Sequence, residues 1–268
     1  MNKLKVFLTT ADTPDDLKDF DCFWCGQQIE KKYPDWFQEL KKANKILLHY
    51  CCGATTTREG SFITLDYAMV NSHPGWFLYK DVTSAKTMDN RINLGIDRFY
   101  LDVSIPEFRK WAVSQLVFRS KKYTGIALDN VGLGMPAVWA NQYPKSTYAG
   151  KTLEYTEAYI EYLRQLKQAL NSVGKILVVN AGIDWRTWSD GDVWRRLMAV
   201  TDGMLYEAQA GTIVNSIAEN KIIQQHHRDI VDAGKLDLWV VPESVREQYE
   251  AIAKPVSKAW RTFFGSNG

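Results

Sequence analysis

Short apolar runs alternate along this chain with longer stretches that place an apolar residue every three or four positions. The runs are Lys5–Thr9, Asp21–Cys25, Ile46–Cys51, Gly125–Asp129, Ile176–Asn180, Gly203–Glu207 and Leu238–Val241. Most are apolar throughout instead of at every second position. That predicts strands covered on both faces, as in a parallel sheet. The spacers read as helices. Ile29, Tyr33, Phe37 and Leu40 fall on one face, as do Tyr159, Tyr162, Leu163, Leu166, Ala169 and Leu170 ahead of a stop at Gly174. Ser104-Ile-Pro-Glu107 has the form of a capping box, with Phe108, Trp111, Ala112 and Leu116 as the buried stripe behind it. Ile217, Ile223, Ile230 and Val231 precede Gly234 in the same way.

Strand and helix signals in alternation predict βα units. The expected fold is α/β, a (β/α)8 TIM-type barrel, in one domain over residues 1–268. Seven strands are plain. Thr262-Phe-Phe264, after a helix around Arg246–Trp260, is what remains for an eighth, so the eighth βα unit is expected to be incomplete. A long insertion, at about residues 53–122, is expected to build the cleft, since long loops at the top of a barrel usually do.

Two of the runs share a form. Gly125-Ile-Ala-Leu-Asp129 and Gly203-Met-Leu-Tyr-Glu207 each pass from a glycine through three apolar residues to an acid. Barrel chemistry sits at the C-terminal ends of the strands. Two carboxylates delivered there from different strands are what glycosidic cleavage needs, one to donate a proton and one to act as base or nucleophile. Asp129 and Glu207 are therefore the expected catalytic pair. The bland reading of any single strand-end acid is a helix cap or an ion pair; the matched contexts favour chemistry here.

Around them stand candidate sugar contacts. Asn130 follows Asp129, Asn180 closes the next strand, and Glu243 follows the seventh after Pro242. Asp102 lies in the insertion, where the competing reading is a charge at the start of the following helix. Tyr50 and Trp76 are candidate stacking platforms. Tyr206 borders Glu207 and is a candidate for the apolar surroundings that raise a carboxyl pKa. The chain is rich in rings, with 10 Trp, 13 Tyr and 11 Phe. Sugar platforms and ordinary core account for such a surplus equally well.

Charge and composition exclude other classes. A net charge of +2 does not suggest a nucleic-acid binder. No apolar run approaches the roughly 18 residues of a membrane span. The apolar core of the N-terminus is only Val6-Phe-Leu8, whereas a secretory leader needs about 7–15 such residues. Either the protein is cytoplasmic or a leader has been removed. The four cysteines, Cys22, Cys25, Cys51 and Cys52, are too few for a disulfide scaffold. Cys22-x-x-Cys25 admits a redox or half-zinc reading, and with His49 and Cys51 a metal-dependent deacetylase, but there is no second such pair. Gly132-Leu-Gly134-Met-Pro-Ala137 matches a dinucleotide fingerprint, yet its proline does not read as the start of a helix and the next strand ends in Asn180 instead of an acid. The lysines precede strands, where a Schiff-base lysine would be inside the barrel. No cofactor and no metal is expected. The expected partner is a polysaccharide or oligosaccharide. The rival reading is a non-catalytic carbohydrate-binding barrel.

Certain segments resemble a known family. His73-Pro-Gly-Trp-Phe-Leu78, Leu101-Asp-Val-Ser-Ile-Pro-Glu-Phe-Arg-Lys-Trp111, Gly125-Ile-Ala-Leu-Asp-Asn130 and Thr201-Asp-Gly-Met-Leu-Tyr-Glu207 are similar to the group called hypothetical glycosyl hydrolase family 15. More distantly, the chain resembles glycoside hydrolase family 114, the endo-α-1,4-polygalactosaminidases. The likeness implies a (β/α)8-type barrel, with catalytic carboxylates at Asp129 and Glu207. By the family 114 pattern Asp129 is the nucleophile and Glu207 the acid/base, which implies a retaining mechanism. The chain departs from that pattern in having Lys122-Tyr-Thr-Gly125 ahead of the fourth strand and Tyr206-Glu-Ala-Gln209 at the sixth.

Overall fold

A computed structural model describes residues 4–6, 20–26, 29–59, 63–93, 97–181, 191–207, 217–240 and 262–265. Eight strands follow one another in one curled sheet, every neighbouring pair parallel. They are β1 (Leu4–Val6), β2 (Cys22–Cys25), β3 (Ile46–Thr57), β6 (Gly125–Asp129), β7 (Ile176–Asn180), β8 (Gly203–Glu207), β9 (Leu236–Val240) and β10 (Thr262–Gly265). β4 (Thr64–Leu65) and β5 (Arg98–Tyr100) are additions to the far end of β3. β10 is the eighth strand expected from Thr262-Phe-Phe264, and it lies close to β1 as well as paired with β9. The helix expected at Arg246–Trp260 lies outside the described residues.

The strands are apolar on both faces because two layers cover them. Cys22, Trp24, Leu48, Tyr50, Cys52, Ala127, Val178, Leu205 and Leu238 pack together inside the curl. The residues between them, such as Ile126, Leu128, Leu177, Val179, Met204 and Tyr206, face outward into a second core. Helices cover this outer face, most of them around that core and the first two around Phe23, Cys25, Leu47 and Tyr123. They are α1 (Ile29–Lys32), α2 (Pro34–Lys42), α3 (Tyr67–Asn71), α4 (Pro106–Arg119), α5 (Met135–Gln142), α6 (Thr152–Asn171), α7 (Gly191–Ala199) and α8 (Ile217–Asp232). Among the described residues no helix is long and apolar enough to cross a membrane.

Alternation also explains the repeated glycine-to-acid form. Gly125 and Asp129 share the parity of inward-facing Ala127, as Gly203 and Glu207 share that of Leu205. A Cβ built on Gly125 would stand 2.1 Å from the Ile176 carbonyl oxygen, and one on Gly203 2.7 Å from the Leu236 Cβ. The inner base of these strands has no room for a side chain, so glycine occupies it.

Three local expectations are corrected. The stripe Ile29–Leu40 is two helices, because Pro34 starts α2 and cannot continue α1. The capping box at Ser104 does not form. Ile105 is the residue before α4, with Pro106 opening it, and the Ser104 N–H donates to Asp102 Oδ1 at 2.9 Å. A helix does begin after Gly132-Leu-Gly134, with Pro136 in its first turn, where proline lacks nothing the helix needs. The dinucleotide reading still lacks its acid at the end of β7.

The insertion is largely a packed outwork. Trp76, Phe77, Leu78, Tyr79, Ile92, Phe99 and Leu101 are buried and continuous with the outer core. The Arg91 guanidinium lies 3.6 Å above the Phe77 ring. Helix α4 buries Phe108, Ala112 and Leu116 in that core and serves as the crossover from β3 to β6.

Candidate active site

Asp129 is the last residue of β6, half-buried at the rim. Donors from three neighbouring strand ends hold its carboxyl group. Its Oδ1 accepts the Asn130 backbone N–H at 2.8 Å and Asn180 Nδ2 at 3.0 Å. Its Oδ2 accepts Asn130 Nδ2 at 3.1 Å and the Tyr50 hydroxyl in a short hydrogen bond. All four partners donate, which suits a carboxylate, an acceptor on both oxygens.

The strand register makes this meeting possible. Cys52 of β3 pairs with Asp129, so Tyr50 sits one inward step below it. Leu128 pairs with Val179, which brings Asn180 beside Asp129. Asn130 reaches back through a left-handed backbone, with φ of 58°. Asparagine tolerates that region better than most residues. The turn points both its N–H and its amide at Asp129, and puts Nδ2 3.2 Å from Cys52 Sγ. The Tyr159 hydroxyl of α6 reaches the Asn130 carbonyl at 3.4 Å.

Burial sets the protonation of this shell. The Tyr50 hydroxyl is held far above its ordinary pKa by burial, then by the Cys52 and Asp129 charges. Cys52 is pushed up to about 11 by burial and by Asp129. Both therefore keep their protons at neutral pH.

The other expected residues fall in different places. Glu207 ends β8, two residues beyond Leu205, the register partner of Asn180. Its side chain and Glu243 lie outside the described residues. Tyr50 is a hydrogen-bond donor and not a stacking platform, because its ring is 4% exposed and tilted against Trp24 at 5.7 Å. Trp76 is likewise core. His73 stacks on it at 4.1 Å, Trp111 and Phe108 approach at 5.5 Å, and no open ring face is left for a sugar. Tyr206 points outward to helix α8, with its ring edge-on to His227 at 5.8 Å, as strand parity requires. Asp102 is buried in the insertion. Its Oδ1 accepts the Tyr148 hydroxyl at 2.8 Å and the Ser104 N–H, so it orders the turn before α4. Asp129, Asn130, Asn180 and Tyr50 thus come together; Trp76, Tyr206 and Asp102 do not join them.

Sequence reasoning missed Cys52 and Tyr159. Cys52 reads as a small apolar residue, yet its strand parity, matching Tyr50, was there to be used. Tyr159 reads as helix core, and only its hydroxyl departs from that. The ring surplus belongs mostly to the core: Tyr148, Tyr155, Tyr159 and Tyr162 form a chain of edge-to-face contacts under α6.

All four cysteines are free and buried, and burial raises each thiol. Among the described residues no three of His, Cys, Asp and Glu gather as metal ligands. His49 faces the outer layer against Tyr123 at 5.1 Å, and His227 holds Asp237 at 2.7 Å from within α8.

No family model and no curated protein matches this chain. Solved structures do. The glycoside hydrolase domain of PelA from Pseudomonas aeruginosa is 15% identical over 98% of this chain and 94% of that one, with a TM-score of 0.61. An α-amylase from Lactobacillus plantarum is 10% identical over 100% and 71%, at 0.57. TtGalA, an α-galactosidase from Thermus thermophilus, is 13% identical over 100% and 61%, at 0.54. At these identities the likeness shows the fold, which is TIM-barrel-like.

Proposed function

We propose that this chain is a glycoside hydrolase, cleaving an O-glycosidic bond in a polysaccharide or oligosaccharide with Asp129 and Glu207. The observation that carries the reading is the Asp129 carboxylate, half-open at the strand ends and oriented by donors from β3, β6 and β7. The structural neighbours share the fold and are themselves named as glycosidases, which supports the same class of chemistry here. We read the sheet as a full eight-stranded barrel, since β1 and β10 approach one another.

Asp129 attacks the anomeric carbon. Glu207 gives its proton to the leaving oxygen as the glycosidic bond breaks, leaving a glycosyl ester on Asp129. Glu207 then takes a proton from water, whose oxygen displaces Asp129 and completes hydrolysis with retention. The role of Glu207 draws on its strand parity, which it shares with inward-facing Leu205, and on its place at the end of a strand two removed from Asp129. Retention requires carboxyl groups about 5–5.5 Å apart.

A second reading is a non-catalytic carbohydrate-binding barrel. One observation favours it: each Asp129 oxygen already accepts two hydrogen bonds, so an attacking oxygen would have to release one. Hydrolysis of a polysaccharide panel, with α-1,4-galactosaminan in it, by wild type, Asp129→Asn and Glu207→Gln separates the two. The hydrolase reading expects product from the wild type and a loss of about 100-fold or more in each variant. Saccharide binding without product from any polymer would favour the binder.

A further inference from the structure

Asn130 directly follows a strand, yet its φ is 58°. Two other described residues that are not glycine have a positive φ, Asn44 and Asp97. Asn44 stands just past the end of α2, where a left-handed residue commonly stops a helix. No helix ends at Asn130. A left-handed backbone costs most residues free energy and persists where the surroundings impose it. Here they do so from two sides. The Asn130 carbonyl accepts the Gly132 N–H at 3.0 Å and the Tyr159 hydroxyl at 3.4 Å. The N–H of buried Val131 donates to the Asn180 carbonyl at 3.2 Å. The turn is clamped between β7 and α6.

An asparagine amide has two protons to donate. The Asn130 amide has two acceptors within reach, Asp129 Oδ2 at 3.1 Å and Cys52 Sγ at 3.2 Å. The Asn130 backbone N–H goes to Asp129 Oδ1 at 2.8 Å. Its three N–H bonds thus meet three acceptors inside the protein, and two of those are the oxygens of one carboxylate. Cys52 is the far anchor. It is buried, it pairs in register with Asp129, and its thiol faces the Tyr50 hydroxyl oxygen at 4.0 Å. Both side-chain donors to Oδ2, from Asn130 and Tyr50, therefore lie against the same sulfur.

We infer that Asn130 is a positioning residue for Asp129 rather than a donor to the sugar: its left-handed turn aims the N–H and the amide at the two carboxylate oxygens, and Cys52 holds the amide in that pose. Donors on a carboxylate favour its ionised form, which is the form that attacks. The part played in hydrolysis rests on the hydrolase reading, but the grip on the carboxylate stands on the hydrogen bonds.

The test compares wild type with Asn130→Gly, Asn130→Ala, Cys52→Ala, Cys52→Ser and the double variant Asn130→Gly/Cys52→Ala. Two quantities are followed: the titration of the Asp129 carboxyl by carbon-13 NMR, its signal assigned from Asp129→Asn, and steady-state hydrolysis of the polysaccharide panel. Glycine accepts the left-handed turn and keeps the N–H on Oδ1, so Asn130→Gly removes the amide alone. It should move the Asp129 midpoint up by about one pH unit and lower kcat by about tenfold at unchanged KM, the size of one hydrogen bond to a charged group. Asn130→Ala, which does not suit the turn, should do more on both counts. Cys52→Ala should act in the same direction by less and lose most of its effect in the Asn130→Gly background, because it works through the amide. Cys52→Ser, which still accepts from the amide, should lie nearer the wild type.

An unmoved midpoint in Asn130→Gly would overturn the inference whether or not a polymer is cleaved. A raised KM at unchanged kcat and midpoint would make Asn130 a sugar contact and overturn the inference while leaving the hydrolase reading in place. Full additivity of the Cys52 and Asn130 effects would overturn the part given to Cys52. A raised midpoint in Asn130→Gly, with saccharide bound but no polymer cleaved by the wild type, would keep the grip on Asp129 and overturn the hydrolase reading.

Discussion

The two ends of the sheet use polar residues in opposite ways. At the base, Lys45 precedes β3 and pairs with Asp21 at 3.0 Å. Lys175 precedes β7 and donates to the Tyr123 carbonyl, and Lys235 precedes β9 and donates to the Met198 carbonyl at 2.6 Å. Lys167 of α6 joins them, bridging the Thr201 carbonyl and Asp202. Each of these cations closes backbone groups or an acid of the protein itself, and the glycines Gly125 and Gly203 let the strands meet. At the rim, Tyr50, Asn130 and Asn180 converge on one half-open carboxylate, and Asn130 adopts a left-handed backbone to do so. The base consumes its polarity in holding the strands together, whereas the rim directs its own at a group that solvent and ligands can reach. In TIM barrels, whose fold this sheet resembles, the chemistry sits at the strand C-termini, and the opposite face carries stability.

If that division holds, substitutions should separate stability from activity. The largest effect is expected at the base. Gly125→Ala places a Cβ against the Ile176 carbonyl and should cost about 3 kcal/mol in a urea melt. The rate per folded molecule should not change; a loss of kcat in the folded fraction would break the comparison. At the rim, Asp129→Asn should reduce hydrolysis by about 100-fold, equivalent to about 2.7 kcal/mol of barrier, while its thermal midpoint stays near that of the wild type.

Tyr50→Phe sharpens the same contrast with a smaller change. It removes one donor from Asp129 and nothing from the ring packing on Trp24. A fall in kcat of about tenfold at unchanged KM is expected from steady-state kinetics, the size of one hydrogen bond to a charged group. An unchanged kcat would mean that Asn130 and Asn180 suffice to orient the carboxylate.

A further expected effect is a pH dependence away from both ends. His49 and His226 are held neutral, their pKa lowered from 6.5 to about 4, first by burial. The unfolded chain therefore takes up protons that the folded chain refuses. The stability due to each is whole above pH 6.5 and is lost as pH falls toward 4. Thermal midpoints should decline over that interval, and less steeply in His226→Gln. Neither histidine is a partner of Asp129, so kcat per folded molecule should not follow the decline.

Much of the frame was legible because it follows from backbone periodicity. Three strands, Gly125–Asp129, Ile176–Asn180 and Gly203–Glu207, have the bounds that the apolar runs predict. The stop at Gly174 appears with its positive φ of 69°. Asp129, Asn130 and Asn180 were also within reach, since a strand-end position is a property of the run that contains it. What misled was side-chain chemistry taken without a direction. Trp76 and Tyr206 are rings near the expected cleft in sequence, but one is closed in by His73 and Trp111, and the other is turned outward by strand parity. Tyr50 was placed at the site for its flat face and acts there through its hydroxyl.

The sequence by itself therefore determined the order of strands and helices, the apolar cover on both faces of the sheet, and an acid at the end of β6. These depend on neighbours a few residues apart, and the chain states them directly. Which groups surround that acid was decided by tertiary structure alone. Tyr50 lies 79 residues from Asp129 in the chain and Asn180 lies 51 away. The register of β3, β6 and β7 brings them within hydrogen-bond distance, and register is set by how three strands pack side by side, which no single run of residues contains.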